Sequence, residues 1–118
     1  MIKVPKDEIL YYCHCTQCRK NYGMHSASFG GPRESFKITK GRQRVTWYES
    51  SKNIFRGFYN TCGSPIAWDN KSLPLMYVLA GLIDGKTKSK KRVHIYTKFK
   101  GDYYKICDGY PQYKTMPV

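Results

Sequence analysis

Three cysteines fall within six residues, Cys13-His14-Cys15-Thr16-Gln17-Cys18, and no other feature restricts the folding of this chain so tightly. A CxxC step lets a turn place two sulfurs on one side, at the separation a tetrahedral zinc ion requires with Zn–S of about 2.3 Å. The preceding CxC step adds a third sulfur from the end of an incoming strand. Oxidation is a poor alternative, because a CxC disulfide closes a very small, strained ring. The chain holds five cysteines, an odd count that does not suit a secreted disulfide framework. Clustered reduced thiols point to a cytoplasmic setting and to metal or redox chemistry. Soft thiolates favour zinc at Cys13, Cys15 and Cys18, whereas iron–sulfur clusters normally need four cysteines at other spacings.

The fourth zinc position is open to His14, His25, Cys62, Cys107 or a solvent molecule. His14 lies between two ligands, so its side chain is expected to point away from the metal. A closed set of four protein ligands would make the site structural, and an open position would suit catalysis.

At 118 residues, 1–118 read as a single small domain. Such a core is modest, so a metal cross-link is physically useful. The longest apolar stretch, Leu73 to Ile83, is interrupted by Pro74 and Gly81 and is too short to cross a bilayer. No basic start followed by an apolar block marks a signal peptide. The net charge of +13, with the dense run Lys86, Lys88, Lys90, Lys91 and Arg92, suits an anionic substrate, an acidic protein or nucleic acid. The plainer reading of that run is a solvated loop.

Short strand patterns separated by turn signals predict a mainly β, antiparallel domain with little helix. Strands are expected at Glu8 to Tyr12, Met24 to Phe29, Phe36 to Thr39, Arg44 to Glu49, Ile54 to Tyr59, Pro65 to Trp68, Leu75 to Ile83 and Arg92 to Phe99. Gly30-Gly31-Pro32 reads as a break, Lys40-Gly41 as a tight hairpin turn, and Arg19 to Tyr22 as one helical turn closed by Gly23. Leu75 to Ile83 is the expected central strand, buried on both faces. In the last strand Val93, Ile95 and Thr97 oppose His94, Tyr96 and Lys98. Tyr103 to Tyr113 reads as an irregular cover.

With YCHCTQCRK at 12–20, RGFYNTCGSPI at 56–66, GLID at 81–84 and HIYTKFKGDYYKICDGYPQY at 94–113, the chain resembles the glutathione-dependent formaldehyde-activating enzymes, a family grouped with centromere protein V. The resemblance implies a β-tent fold with two zinc ions per subunit, the CxCxxC at Cys13, Cys15 and Cys18 holding the ion linked to activity. It also implies glutathione as the small-thiol partner and the synthesis of S-(hydroxymethyl)glutathione from formaldehyde, a carbon–sulfur lyase assignment read in reverse. A metal that lowers a thiol pKa would supply the nucleophile. The family's second zinc site combines an earlier CxC with a CxxC in the later turn. Here the chain starts twelve residues before Cys13, short for the family, and Tyr59 replaces the first cysteine of the later pair, leaving Cys62. The expectation is one zinc and no structural second site, with Phe58 and Tyr59 filling the space.

Two functions of different classes follow. One is a zinc-dependent enzyme acting on a glutathione or other thiol adduct, with His94 as the candidate catalytic residue that orients substrate or moves a proton. The other is a basic, zinc-stapled module for nucleic acid or an acidic partner, using runs such as YTKFKGDYYK for stacking and phosphate contact.

Overall fold

The computed structural model describes residues 2–3, 9–87 and 89–117. Glu8 and Lys88 therefore lie outside the described residues. The strands are β1 (Ile2–Lys3), β2 (Leu10–Cys13), β3 (Ser26–Pro32), β4 (Lys37–Ile38), β5 (Val45–Ser51), β6 (Ile54–Tyr59), β7 (Pro65–Asn70), β8 (Leu75–Leu79) and β9 (Arg92–Ile95). The single described α-helix is α1 (Thr16–Tyr22). Seven strands form one sheet in the order β5-β6-β7-β8-β3-β2-β9, and β1 pairs with β4 in a separate ribbon. The domain is mainly β, as the strand patterns predict.

The sheet is mixed rather than wholly antiparallel, because β9 runs parallel to β2. Local patterns reveal strands but not the direction in which distant ones meet. That pairing aligns Tyr12 with His94 and Cys13 with Ile95, and the His14 N–H continues it by donating to the Ile95 carbonyl at 3.0 Å.

Several sequence expectations are corrected at element ends. Gly30-Gly31-Pro32 does not break β3; these residues pair with Tyr77, Met76 and Leu75 of β8. The Tyr77 ring lies directly over Gly30, so close that a Cβ there would come within 2.4 Å of it. Glycine marks close approach here rather than a turn. Lys40-Gly41 does not join a hairpin either. β4 pairs with β1, and Gly41, at φ +79°, leads into a 3₁₀ turn at Arg42–Arg44 before β5. β8 is central, but it stops at Leu79, where a 3₁₀ turn at Ala80–Leu82 deflects the chain. Only its Val78 is buried, so burial on both faces does not hold. β9 ends at Ile95 because Tyr96 takes a left-handed conformation, φ +55°, and starts another 3₁₀ turn.

β6 spans the expected residues, and its turn into β7 closes with Gly63 at φ +77°, a conformation that favours glycine. Phe36, Ile66, Ala67 and Val78 form the buried core, with Ile38, Val45, Tyr59 and Met76 packed against it. Tyr59 also donates to the Lys40 carbonyl at 3.2 Å, and Phe58 meets Tyr48 edge-on at 5.9 Å. The β7–β8 corner is tied by Arg33, which donates to Asp69 at 2.7 Å and to the Leu73 carbonyl at 2.8 Å. Beyond β9 the tail is irregular and covers the sheet edge, with Gln112 bridged to His94. Among the described residues no helix is long and apolar enough to cross a membrane.

Candidate metal centre and the histidine layer behind it

β2 delivers Cys13 to the end of the sheet, and the chain then turns into α1. Cys15 caps that helix, its Sγ accepting from the Cys18 N–H at 3.3 Å. A helix N-terminus favours a thiolate at this position. α1 begins at Thr16, earlier than the expected Arg19, because the cap is the cysteine itself. It ends where Gly23, at φ +82°, donates to the Arg19 carbonyl at 2.9 Å, a common left-handed stop. Cys18 is thereby set inside the first turn and buried, facing Ser26, which is the partner of Cys13 across β3.

The three Sγ atoms lie within 4.8 Å of one another. Tetrahedral zinc at ordinary Zn–S lengths needs sulfurs about 3.8 Å apart, so small rotations would seat an ion. The group comprises Cys13, Cys15 and Cys18 alone, and no other His, Cys, Asp or Glu among the described residues joins it. Hydrogen bonds from Cys13 and then Cys18 hold the Cys15 thiol down to about 2. The same bond to Cys15 pushes Cys13 strongly up, with burial adding to it. One thiolate thus forms at the expense of its neighbours, and a bound cation would relieve the competition for all three. The donor set fits a metal ion.

The other fourth-ligand candidates lie elsewhere. Cys62 and Cys107 are exposed. His25 bonds the Ser26 carbonyl through Nδ1 at 3.0 Å and packs edge-on against Tyr12. His14 points away from the thiols, as its place between two ligands requires, and is fully buried.

His14 has partners far away in the sequence. Its Nε2 is 2.9 Å from Nδ1 of His94, and its Nδ1 bonds the Tyr104 hydroxyl. His94, 3 % exposed, bonds Asp108 at 2.8 Å through Nε2 and stacks on Tyr12 at 4.9 Å. An ionised carboxylate only accepts, so His94 Nε2 donates to Asp108. Read onward, His14 Nε2 donates to His94 Nδ1 and Tyr104 donates to His14 Nδ1. Burial, aided by His25 and His94, lowers the His14 pKa to about 4, so its ring is neutral near pH 7. Every polar atom of this chain of four residues has a role.

His94, the predicted catalytic residue, therefore sits across the sheet from the sulfurs, one residue behind the loop. Asp108, which the sequence left without a role, is its anchor. Lys100 is also internal, donating to the Gly101 and Tyr104 carbonyls at 2.9 and 2.6 Å. Within the YTKFKGDYYK run Lys98, Phe99, Tyr103 and Lys105 are exposed. A basic groove lies instead on the β5–β8 part of the sheet. It is a cavity of about 900 Å³ lined by Arg33, Lys37, Arg42, Lys71, Trp47 and Phe55, among others, and by Asp69, which pairs with Arg33 and Lys71.

A mainly β domain with one mixed sheet, carrying a three-thiol loop able to hold a metal ion, is the class defined by fold and site. Residues 2–99 match the family described as glutathione-dependent formaldehyde-activating enzyme, and the chain belongs to that family. No curated protein matches it. The fold is similar to the crystal structure of a Rhodobacter sphaeroides protein, with a TM-score of 0.54 and 22% identity over 72% of this chain and 80% of that one.

Proposed function

We propose that the protein is a zinc-dependent enzyme that binds a small thiol, with glutathione the leading candidate, and adds it to formaldehyde. The observation that carries this reading is the three-sulfur group with no fourth protein ligand among the described residues. Family membership supports a zinc-binding, glutathione-related role. Cys13, Cys15 and Cys18 would hold the ion, and a zinc bound there would supply the positive charge that lowers the pKa of a substrate thiol. In the addition, the sulfur pair forms a C–S bond while the carbonyl π bond breaks. Its electrons move to oxygen, which takes the proton given up by the thiol; nothing is oxidised or reduced.

The chain's own residues position this chemistry. The Cys18 N–H holds Cys15, Ser26 backs Cys13 and Cys18, and the buried His14 fixes the loop between its ligands. His94 enters as a positioning residue, acting on the loop through His14. We assign one zinc per chain and a reducing, cytoplasmic setting. Cobalt substitution tests the reading: glutathione should shift the d–d bands of the one-cobalt protein. Unchanged bands at saturating glutathione would exclude thiol ligation.

A second reading, a binding module for nucleic acid, is favoured by the groove around Trp47. Cations and half-exposed aromatics there suit stacking and phosphate contact. Steeply salt-dependent oligonucleotide binding, lost in Trp47→Ala, would support it. No binding at low salt would remove it.

A further inference from the structure

Arg56 is the anomaly outside the sites already described. It is 7 % exposed, at the centre of β6. Its Nε is buried with no hydrogen-bond partner, one of two such side-chain atoms among the described residues, the other being Nε of Arg19. A buried guanidinium is normally matched by a carboxylate, because desolvating a lone charge is costly. Asp69, two residues along the neighbouring strand from Ala67, is already taken by Arg33 and Lys71.

Arg56 instead lines a cavity of about 260 Å³, together with Asn21, Tyr22, Tyr48, Phe58 and Pro65. No acidic side chain lines it. The cavity adjoins the thiol loop: Tyr22 lies one helical turn beyond Cys18 on α1, about 6 Å along the axis. Burial pushes the Tyr22 phenol up, and the Arg56 guanidinium hydrogen-bonded beside it draws it back. In volume the cavity is smaller than a whole small-molecule site, which fits part of a ligand whose sulfur lies elsewhere.

We infer that Arg56 and this cavity form a carboxylate subsite, which selects thiols that bear a carboxylate. The inference rests on the thiol-binding reading above and gives that site its substrate class. The guanidinium offers a fork of N–H donors to a planar carboxylate. Asn21 and the two phenols supply further polar atoms at the wall. An anionic thiol then gains charge-assisted hydrogen bonds that a neutral thiol cannot make.

The zinc-loaded protein should be titrated calorimetrically with S-methylglutathione and with its dimethyl ester. The capped sulfur removes thiolate binding from the measurement. The diacid should bind about ten- to a hundredfold more tightly than the diester, and Arg56→Gln should erase the difference while Arg56→Lys keeps part of it. Equal affinity of diacid and diester for the wild-type protein, or no binding of either, would overturn the subsite; this arm needs no variant to fold. Unchanged preference in a folded Arg56→Gln protein would place the carboxylate elsewhere and also overturn it. Failure of the thiol reading shows separately, as cobalt bands that ignore glutathione while the diacid preference persists.

Discussion

The two faces of the sheet at the end of β2 differ by one residue and carry opposite chemistry. Cys13 and Cys15 contribute to an arrangement of three like donors that compete for protons. Tyr12 and His14, alternating with them, enter a layer in which Asp108, His94, His14 and Tyr104 satisfy one another in sequence. The thiol face is built to accept something. The histidine face is complete, and its network, buried at His14 and His94 and reaching the surface at Asp108, braces the strand from which the thiols project. A loop of three thiols is here backed by a hydrogen-bonded support.

That contrast can be broken in steps. The largest effect is expected at the sulfurs. Cys18→Ser should lower zinc affinity at least about a hundredfold, measured by competition with a chromophoric chelator, while the apo protein keeps its β-sheet circular dichroism. Retention of stoichiometric zinc would mean that another residue completes the site. Next, His14→Ala should destabilise the fold by about 3 kcal/mol, since it opens a cavity and strands His94 and Tyr104. It should do so in urea melts of the apo protein too, which separates support from metal binding. His94→Ala should show the same pattern, and a loss of metal affinity with unchanged apo stability would contradict a supporting role.

A smaller effect belongs to neither face. Asp69 is held below the usual carboxylate range by Arg33 and Lys71, against the desolvation that opposes ionisation. Its depressed folded pKa gives stability that is present above about pH 4, the unfolded value, and lost as the pH falls through the folded one. Asp69→Asn should cost about 2 kcal/mol at pH 7, and its gap to wild type should close in acid. A gap independent of pH would assign the loss to packing rather than charge. Smallest of all, Cys62→Ser should shift stability by less than about 0.5 kcal/mol and leave zinc content unchanged, because Cys62 is exposed and apart from the cluster.

How much of this was legible in the residues depends on the distance over which they act. The Cys13–Cys18 spacing brings its sulfurs together through one strand end and one helical turn, so the cluster could be read directly. The same holds for β6, whose short run Ile54–Tyr59 is rich in strand-forming residues and is followed by a turn at Gly63. The outward turn of His14 from the ligands was also readable, since it follows from its place between them. Errors arose where a local signal had a non-local cause: Gly30-Gly31 looked like a break but is a seat for the Tyr77 ring. Asp108 gave no sign of its partner, because that contact depends on how the tail folds over β9.

By itself, the sequence determined a mainly β chain with a compact three-thiol donor set and the family to which it belongs. Tertiary structure alone decided what stands behind and beside those thiols. The parallel pairing of β2 with β9 joins residues about eighty positions apart, and it sets His94 against His14 rather than against the sulfurs. The fold sets Arg56 of β6 beside Asn21 and Tyr22 of α1, in a cavity that no acidic side chain among the described residues lines. Short-range spacing is fixed by covalent geometry, whereas these juxtapositions arise only when distant strands find the register that buries both.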